Sequence, residues 1–205
     1  MSLDLWTGDF GNAYTQRNRV QSIDARLDMW KVLFPRECHS VLEVGANIGQ
    51  NLEAISLLTE AEMFACEPND MAREELVNLF RDIGEPSRNV TADTADKLSF
   101  PDQCADLVFT SGVLIHVPPD KLLKALKEIH RVARRCIIIG EYFAPSEEMV
   151  PYRGHDNALW RRDYGSLFLD NFNDLHCIGT MFAWKRMTGL DNLLFWIMEK
   201  GPKRH

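Results

Sequence analysis

The stretch SVLEVGANIGQNLEAI, residues 40–55, decides the fold. A short apolar run carries an acid, Glu43, and then meets two glycines, Gly45 and Gly49. A helical pattern follows, with Leu52, Ile55 and Leu58 on one face. That order writes a strand, a tight loop and a helix, which together cradle a nucleotide. The spacing is G-x-x-x-G, whereas a dinucleotide fingerprint needs G-x-G-x-x-G. Glu43 would also repel a pyrophosphate and attract a positively charged amino group. An amino-acid-bearing nucleoside is therefore favoured over a dinucleotide, and a hydride-transferring dehydrogenase is disfavoured.

Outward from this stretch, strands and helices alternate. Val20, Ile23, Leu27, Trp30 and Phe34 form a helical stripe that Pro35 stops. EMFACE (62–67) reads as a strand, and residues 70–84 as a helix capped by Asp70 and ended by Gly84. NVTAD (89–93) and ADLVFT (105–110) are short strands. Residues 118–134 form a helix with Leu122, Leu126, Ile129 and Ala133 on its apolar face, and CIIIGEYF (136–143) is a buried, β-branched strand. The tail holds two strand-like runs, 175–185 and 192–200, joined by RMTGLD in the manner of a hairpin. The expected fold is α/β: one doubly wound domain with a mostly parallel seven-stranded sheet and a C-terminal antiparallel hairpin. Ligands of such sheets lie beyond the carboxyl ends of the strands.

The 205 residues are 45% hydrophobic and 26% charged, ordinary for one globular domain. A formal net charge of −7 disfavours nucleic acid as the main partner. Five cysteines form no C-x-x-C and read as reduced, mostly buried thiols. No histidine–cysteine cluster has ligand spacing, so no metal is expected. The beginning of the chain lacks a basic-then-apolar leader and no stretch is apolar enough to span a bilayer, so the cytoplasm is the expected location. Patterning alone leaves the oligomeric state open.

LEVGANIGQN resembles the first motif of class I S-adenosylmethionine-dependent methyltransferases, with Asn47 in place of the middle glycine. Asparagine tolerates positive φ, so the turn can survive that exchange. The resemblance implies a Rossmann-like domain and S-adenosylmethionine as cofactor. Glu67, beside Pro68 at the end of the second strand, would then hold ribose hydroxyls. Asp93 stands one step before Thr94, where many relatives carry an acid at the adenine, so the adenine contact is expected at Thr94 or Ala95. Ser111 joins this set at the end of the fourth strand. The resemblance runs from about Val41 to Phe143. Residues 1–36 would be an N-terminal lid and helix, 40–143 the cofactor-binding core, 144–175 a substrate-side insertion and 176–200 the hairpin. Both ends of the chain are similar to small methyltransferases associated with pseudaminic acid biosynthesis.

Other candidates have bland alternatives. Asn51 could bond the loop or the cofactor. His116 suits a general base, or else it locks the loop before two prolines. Glu141 and Tyr142 end the fifth strand, where either could orient an acceptor or face the sulfonium. In the aromatic N-terminal segment, Tyr14 could give cation–π stabilisation and Arg17 could hold a carboxylate, while Asn18 contacts substrate or caps a helix. Arg153, His155, Arg161 and Arg162 reverse the local sign and could bind an anion, or pair with Asp156 and Asp163. Trp160, Phe182, Trp184, Phe195 and Trp196 read as core.

The expected reaction is methyl transfer to a small, anionic molecule with release of S-adenosylhomocysteine. Two alternatives share the cofactor. One is a cyclase or lyase, in which the cofactor's amino group closes an azetidine-2-carboxylate ring and expels methylthioadenosine. The other is a non-catalytic binding protein.

Overall fold

A computed structural model describes residues 3–19 and 23–201. The chain runs α1 (Leu3–Thr7), α2 (Asp9–Asn18), α3 (Ile23–Leu33), β1 (Ser40–Val44), α4 (Gln50–Ser56), β2 (Glu62–Cys66), α5 (Asp70–Asp82) and β3 (Val90–Thr91). It continues with β4 (Ala105–Ser111), α6 (Pro119–Val132), β5 (Ala133–Glu141), β6 (Glu148–Tyr152), β7 (His155–Arg161), α7 (Tyr164–Asn171), β8 (Leu175–Ala183), α8 (Lys185–Thr188) and β9 (Leu193–Lys200).

Seven strands form one sheet in the order β3-β2-β1-β4-β5-β9-β8. The five from β3 to β5 are parallel; β9 runs antiparallel to both β5 and β8. The chain reverses its winding between β1 and β4, so a crevice opens at the carboxyl ends of those two strands. β6 and β7 make a separate antiparallel pair.

The central strands bury both faces, which is why they read as continuous apolar runs. Leu42, Val44, Val108, Ile137 and Ile139 pack with Leu122, Leu126 and Ile129 of α6 and with Tyr164 and Phe168 of α7. Their neighbours Val41, Leu107, Phe109 and Ile138 face the other way, onto Trp30, Leu33, Leu52, Ile55, Leu76 and Phe80. Each such side chain taken fully out of water contributes roughly 2 kcal/mol.

Several expectations are corrected. Asn69, not Asp70, caps α5 by accepting from the Ala72 N–H. Helix α6 stops at Val132, and β5 begins at once with Ala133. The third strand shrinks to two residues. Asn18 ends a helix rather than preceding one; its side chain donates back to the Tyr14 carbonyl. Phe182 is 58% and Trp184 48% exposed, so neither is core, whereas Trp160, Phe195 and Trp196 are buried. Val20, expected at the start of a helical stripe, lies outside the described residues. Among the described residues no helix is long and apolar enough to cross a membrane.

Candidate active site

The glycine loop leaves β1 with the Gly45 and Ala46 N–H groups both donating to the Cys66 carbonyl of β2, at 2.9 and 3.0 Å. Asn47 then takes φ +50°, the left-handed turn the exchanged glycine would have made, and its N–H donates to Glu67 at 2.8 Å. Gly49 precedes α4 at φ +84°, and a Cβ there would come within 2.5 Å of Leu79 and 2.6 Å of Leu76. That glycine lets the loop lie flat on α5.

Glu43 is 2% exposed beneath this loop. One carboxylate oxygen accepts from Asn51 at 2.6 Å; the other has no partner among the described residues. Burial pushes its pKa up to about 8, against the pull of Asn51 and the nearby Arg26 guanidinium. A half-satisfied buried carboxylate is costly, and an ammonium group brought to it would hold it ionised. The arrangement fits a cofactor that carries an amino group. Asn51 is itself oriented by Arg26 at 2.9 Å and by the Trp30 indole at 3.3 Å. Arg26 also reaches Gln50, whose amide donates to the Asn18 carbonyl. The N-terminal helices are thus tied to the start of α4.

Glu67 directly follows β2 and accepts one backbone N–H on each oxygen, from Asn47 and Asn69, both at 2.8 Å. Lone pairs remain for a pair of vicinal hydroxyls. Pro68, Asp93, Thr94, Ala95 and Asp96 line the same cavity. Asp93 accepts from Thr91 and from both the N–H and hydroxyl of Ser99, so it builds the turn. Thr94 donates to Asp96, which sits 3.6 Å from the Lys121 ammonium.

Beyond the loop the cavity is walled by Trp6, Tyr14, His116, Tyr142 and Tyr152, with Leu159, Leu190 and Leu193. The Trp6 ring lies 4.3 Å from His116 and 5.3 Å from Tyr14. His116 Nδ1 lies 2.7 Å from the Ala158 carbonyl, which can only accept, so that nitrogen carries the proton. Burial lowers the His116 pKa to about 4 and keeps the ring neutral. Burial, helped by Tyr152 and Asp191, raises Tyr14 to about 12. Tyr142 is raised for the same reason, with Asp191 beside it. Both phenols stay protonated at neutral pH.

The other expected residues divide. Gly45, Asn47, Asn51, Ser111, Arg17, Asn18 and Arg153 all line this cavity. Gly49, His155, Glu141 and Arg162 do not. His155 is exposed, with its ring 5.1 Å from Phe10. Glu141 is fully buried, and its two oxygens accept from Thr110 and from the N–H groups of Val113, Leu114 and Ile115. It holds the loop after β4, and all of these bonds are spent within the fold. Arg162 is 2% exposed, paired with Glu147 at 2.6 Å and donating to the Val117 carbonyl and the Tyr164 hydroxyl. These contacts hold it within the fold, and it is not among the residues that line the cavity. Arg26, Asn69, Asp96, Tyr152 and Asp191 escaped the sequence reading. Tyr152 adjoins Arg153, and Asn69 follows Glu67 by two residues, but neither spacing marks a role.

Residues 41–135 match the methyltransferase domain family. No curated protein matches the sequence. Among solved structures, the chain is similar to the 1,6-didemethyltoxoflavin-N1-methyltransferase of Burkholderia thailandensis, solved with 1,6-didemethyltoxoflavin and S-adenosylhomocysteine bound. The two are 18% identical with a TM-score of 0.70 over 95% of this chain and 86% of that one. An S-adenosylmethionine-dependent methyltransferase from Aquifex aeolicus is 16% identical, with a TM-score of 0.65 over 92% and 97%. The magnesium protoporphyrin IX methyltransferase of Synechocystis PCC 6803, with S-adenosylmethionine bound, is 14% identical, at 0.63 over 94% and 82%. Residues 41–135 are thus similar to a methyltransferase domain, and the chain as a whole shares the Rossmann-like fold of these S-adenosylmethionine-dependent methyltransferases.

Proposed function

We propose that this chain methylates a small, anionic molecule and releases S-adenosylhomocysteine. The observation that carries the reading is one cavity lined both by the carboxylates Glu43 and Glu67 and by the rings of Trp6, Tyr14, His116, Tyr142 and Tyr152. Glu43 binds the amino group, Glu67 the ribose hydroxyls, and Thr94, Ala95 and Asp96 the adenine edge. When bound, the cofactor supplies an electrophilic methyl group on a sulfonium centre. Trp6, Tyr14 and Tyr142 surround that end, exclude water and hold the acceptor in line. The aromatic faces also favour a cation. His116, neutral and fixed through Nδ1, leaves Nε2 to accept a proton from the acceptor; its lowered basicity suits an acceptor that ionises easily.

The anionic character of the acceptor rests on the exposed Arg17, Arg153 and Lys121 at the cavity's edge. The likeness of the chain's ends to methyltransferases associated with pseudaminic acid biosynthesis directs the search to sugar acids. We place the reaction in the cytoplasm, where an exposed thiol such as Cys177 stays reduced.

The test is incubation with S-adenosylmethionine, alone and with a panel of sugar acids and small carboxylates, followed by mass spectrometry. S-adenosylhomocysteine that forms only with an acceptor supports the reading. Methylthioadenosine formed without any acceptor overturns it in favour of the cyclase.

A further inference from the structure

The Asn69 side chain is 3% exposed and uses every polar atom it has. Its carbonyl oxygen accepts from the Ala72 N–H at 2.9 Å and so caps α5. Because a backbone N–H can only donate, this bond settles which end of the amide is oxygen. The NH2 group must then point away from α5, and it donates to the Trp6 carbonyl and to Asn12 Oδ1, each at 2.9 Å. The Asn69 N–H meanwhile donates to Glu67 at 2.8 Å. One residue joins a helix cap, the carboxylate at the end of β2 and the two N-terminal helices.

The partner surface is shaped to match. Gly11 of α2 approaches so closely that a Cβ there would lie 1.7 Å from the Trp6 carbonyl oxygen and 2.8 Å from Asn69 Nδ2. Only glycine lets α2 come down onto this amide. The segment held in this way carries Trp6 and Tyr14, both of which wall the cavity.

We propose that Asn69 is a positioning residue that registers the aromatic N-terminal lid against the ribose-binding carboxylate. It acts through Glu67 and Trp6 and touches no reacting atom. The proposal rests on the cofactor site argued above. Its consequence is that lid closure and cofactor binding strengthen one another, because both meet at one residue, the lid at its side-chain amide and Glu67 at its backbone N–H.

The test compares wild type with N69S, which keeps a capping oxygen but loses the two lid bonds, and with G11A, which blocks the approach from the other side and leaves the α5 cap intact. Affinity for S-adenosylhomocysteine is measured by calorimetry. Lid closure is read as tryptic cleavage after the exposed Arg17 and Arg19, with and without S-adenosylhomocysteine. Each variant is expected to bind about tenfold more weakly, as the loss of two neutral hydrogen bonds would give. Bound S-adenosylhomocysteine should protect the lid in wild type and fail to do so in the variants. In a double-mutant cycle with N12A, the N69S effect should shrink. Wild-type affinity and protection in both variants would overturn the latch. So would weaker binding with the lid still protected, which is what loss of the cap alone would produce. If wild type fails to bind S-adenosylhomocysteine, or E67A binds as wild type does, the cofactor-site reading fails and the latch falls with it.

Discussion

Asn51 donates to Glu43 across 2.6 Å, and the second oxygen of that carboxylate has no partner among the described residues. Burial raises the Glu43 pKa from an ordinary 4.5 to about 8. A raised carboxylate stabilises the fold in its protonated form, fully below pH 4.5, and that contribution is lost as pH climbs through about 8. The cofactor-free protein should therefore melt at lower temperature as pH rises across this window. E43Q should flatten that slope, and in wild type bound S-adenosylmethionine should flatten it too. E43Q should also bind the cofactor at least about tenfold more weakly, since a charge-assisted bond is lost. Thermal melts at several pH values, with and without cofactor, check both.

His116 runs the opposite way. Its lowered pKa, about 4 in place of 6.5, means that the neutral ring's contribution is complete above pH 6.5 and fades as pH falls through about 4. Nitrogen chemical shifts should show one histidine titrating near pH 4, with Nδ1 protonated throughout. H116N can still donate to Ala158, so it separates loop support from proton transfer. Activity about 100-fold down with an unchanged melting temperature would assign the base role.

Glu141 should behave as a scaffold residue. E141A would strand three buried N–H groups and the Thr110 hydroxyl, at a cost of about 2–4 kcal/mol. Denaturant unfolding should show that loss.

Two arginines nine residues apart should part company. R162A removes a buried side chain that bonds the Val117 carbonyl, the Tyr164 hydroxyl and the exposed Glu147, and should destabilise by about 3 kcal/mol. R153A should leave stability within about 0.5 kcal/mol, because its side chain is exposed, and raise KM for an anionic acceptor about tenfold with kcat unchanged. Equal KM values for R153A and wild type would remove the case for an anionic acceptor.

Strands of the parallel sheet were legible because burial on both faces leaves an unbroken apolar run, as in Leu107–Phe109 and Cys136–Gly140. The turn at Asn47 was legible because few residues tolerate its φ. The cap at α5 slipped by one because Asn69 and Asp70 are both capping residues, and only the three-dimensional entry angle chooses between them. Helices α1 and α2 were hidden by Gly8 and Gly11, which weaken helix propensity and are kept for close approach. Phe182 looked like core because strand composition is the same at a sheet edge, where β8 has no neighbour on one side. Arg162 and Arg153 look alike in sequence, and long-range packing alone turns one inward and leaves the other in solvent.

The cavity draws its floor and its roof from different parts of the chain. Its floor comes from the strand ends of β1, β2 and β4, and its roof from Trp6, Tyr14, Tyr152, Leu190 and Asp191, contributed by three segments outside residues 41–135. Changes at Tyr152, Leu190 and Asp191 would redraw the proposed acceptor chamber without touching the tie from Trp6 and Asn12 through Asn69 to Glu67. A library confined to those three positions is therefore the direct route to new acceptors, and every member can be screened first for an undiminished grip on S-adenosylhomocysteine.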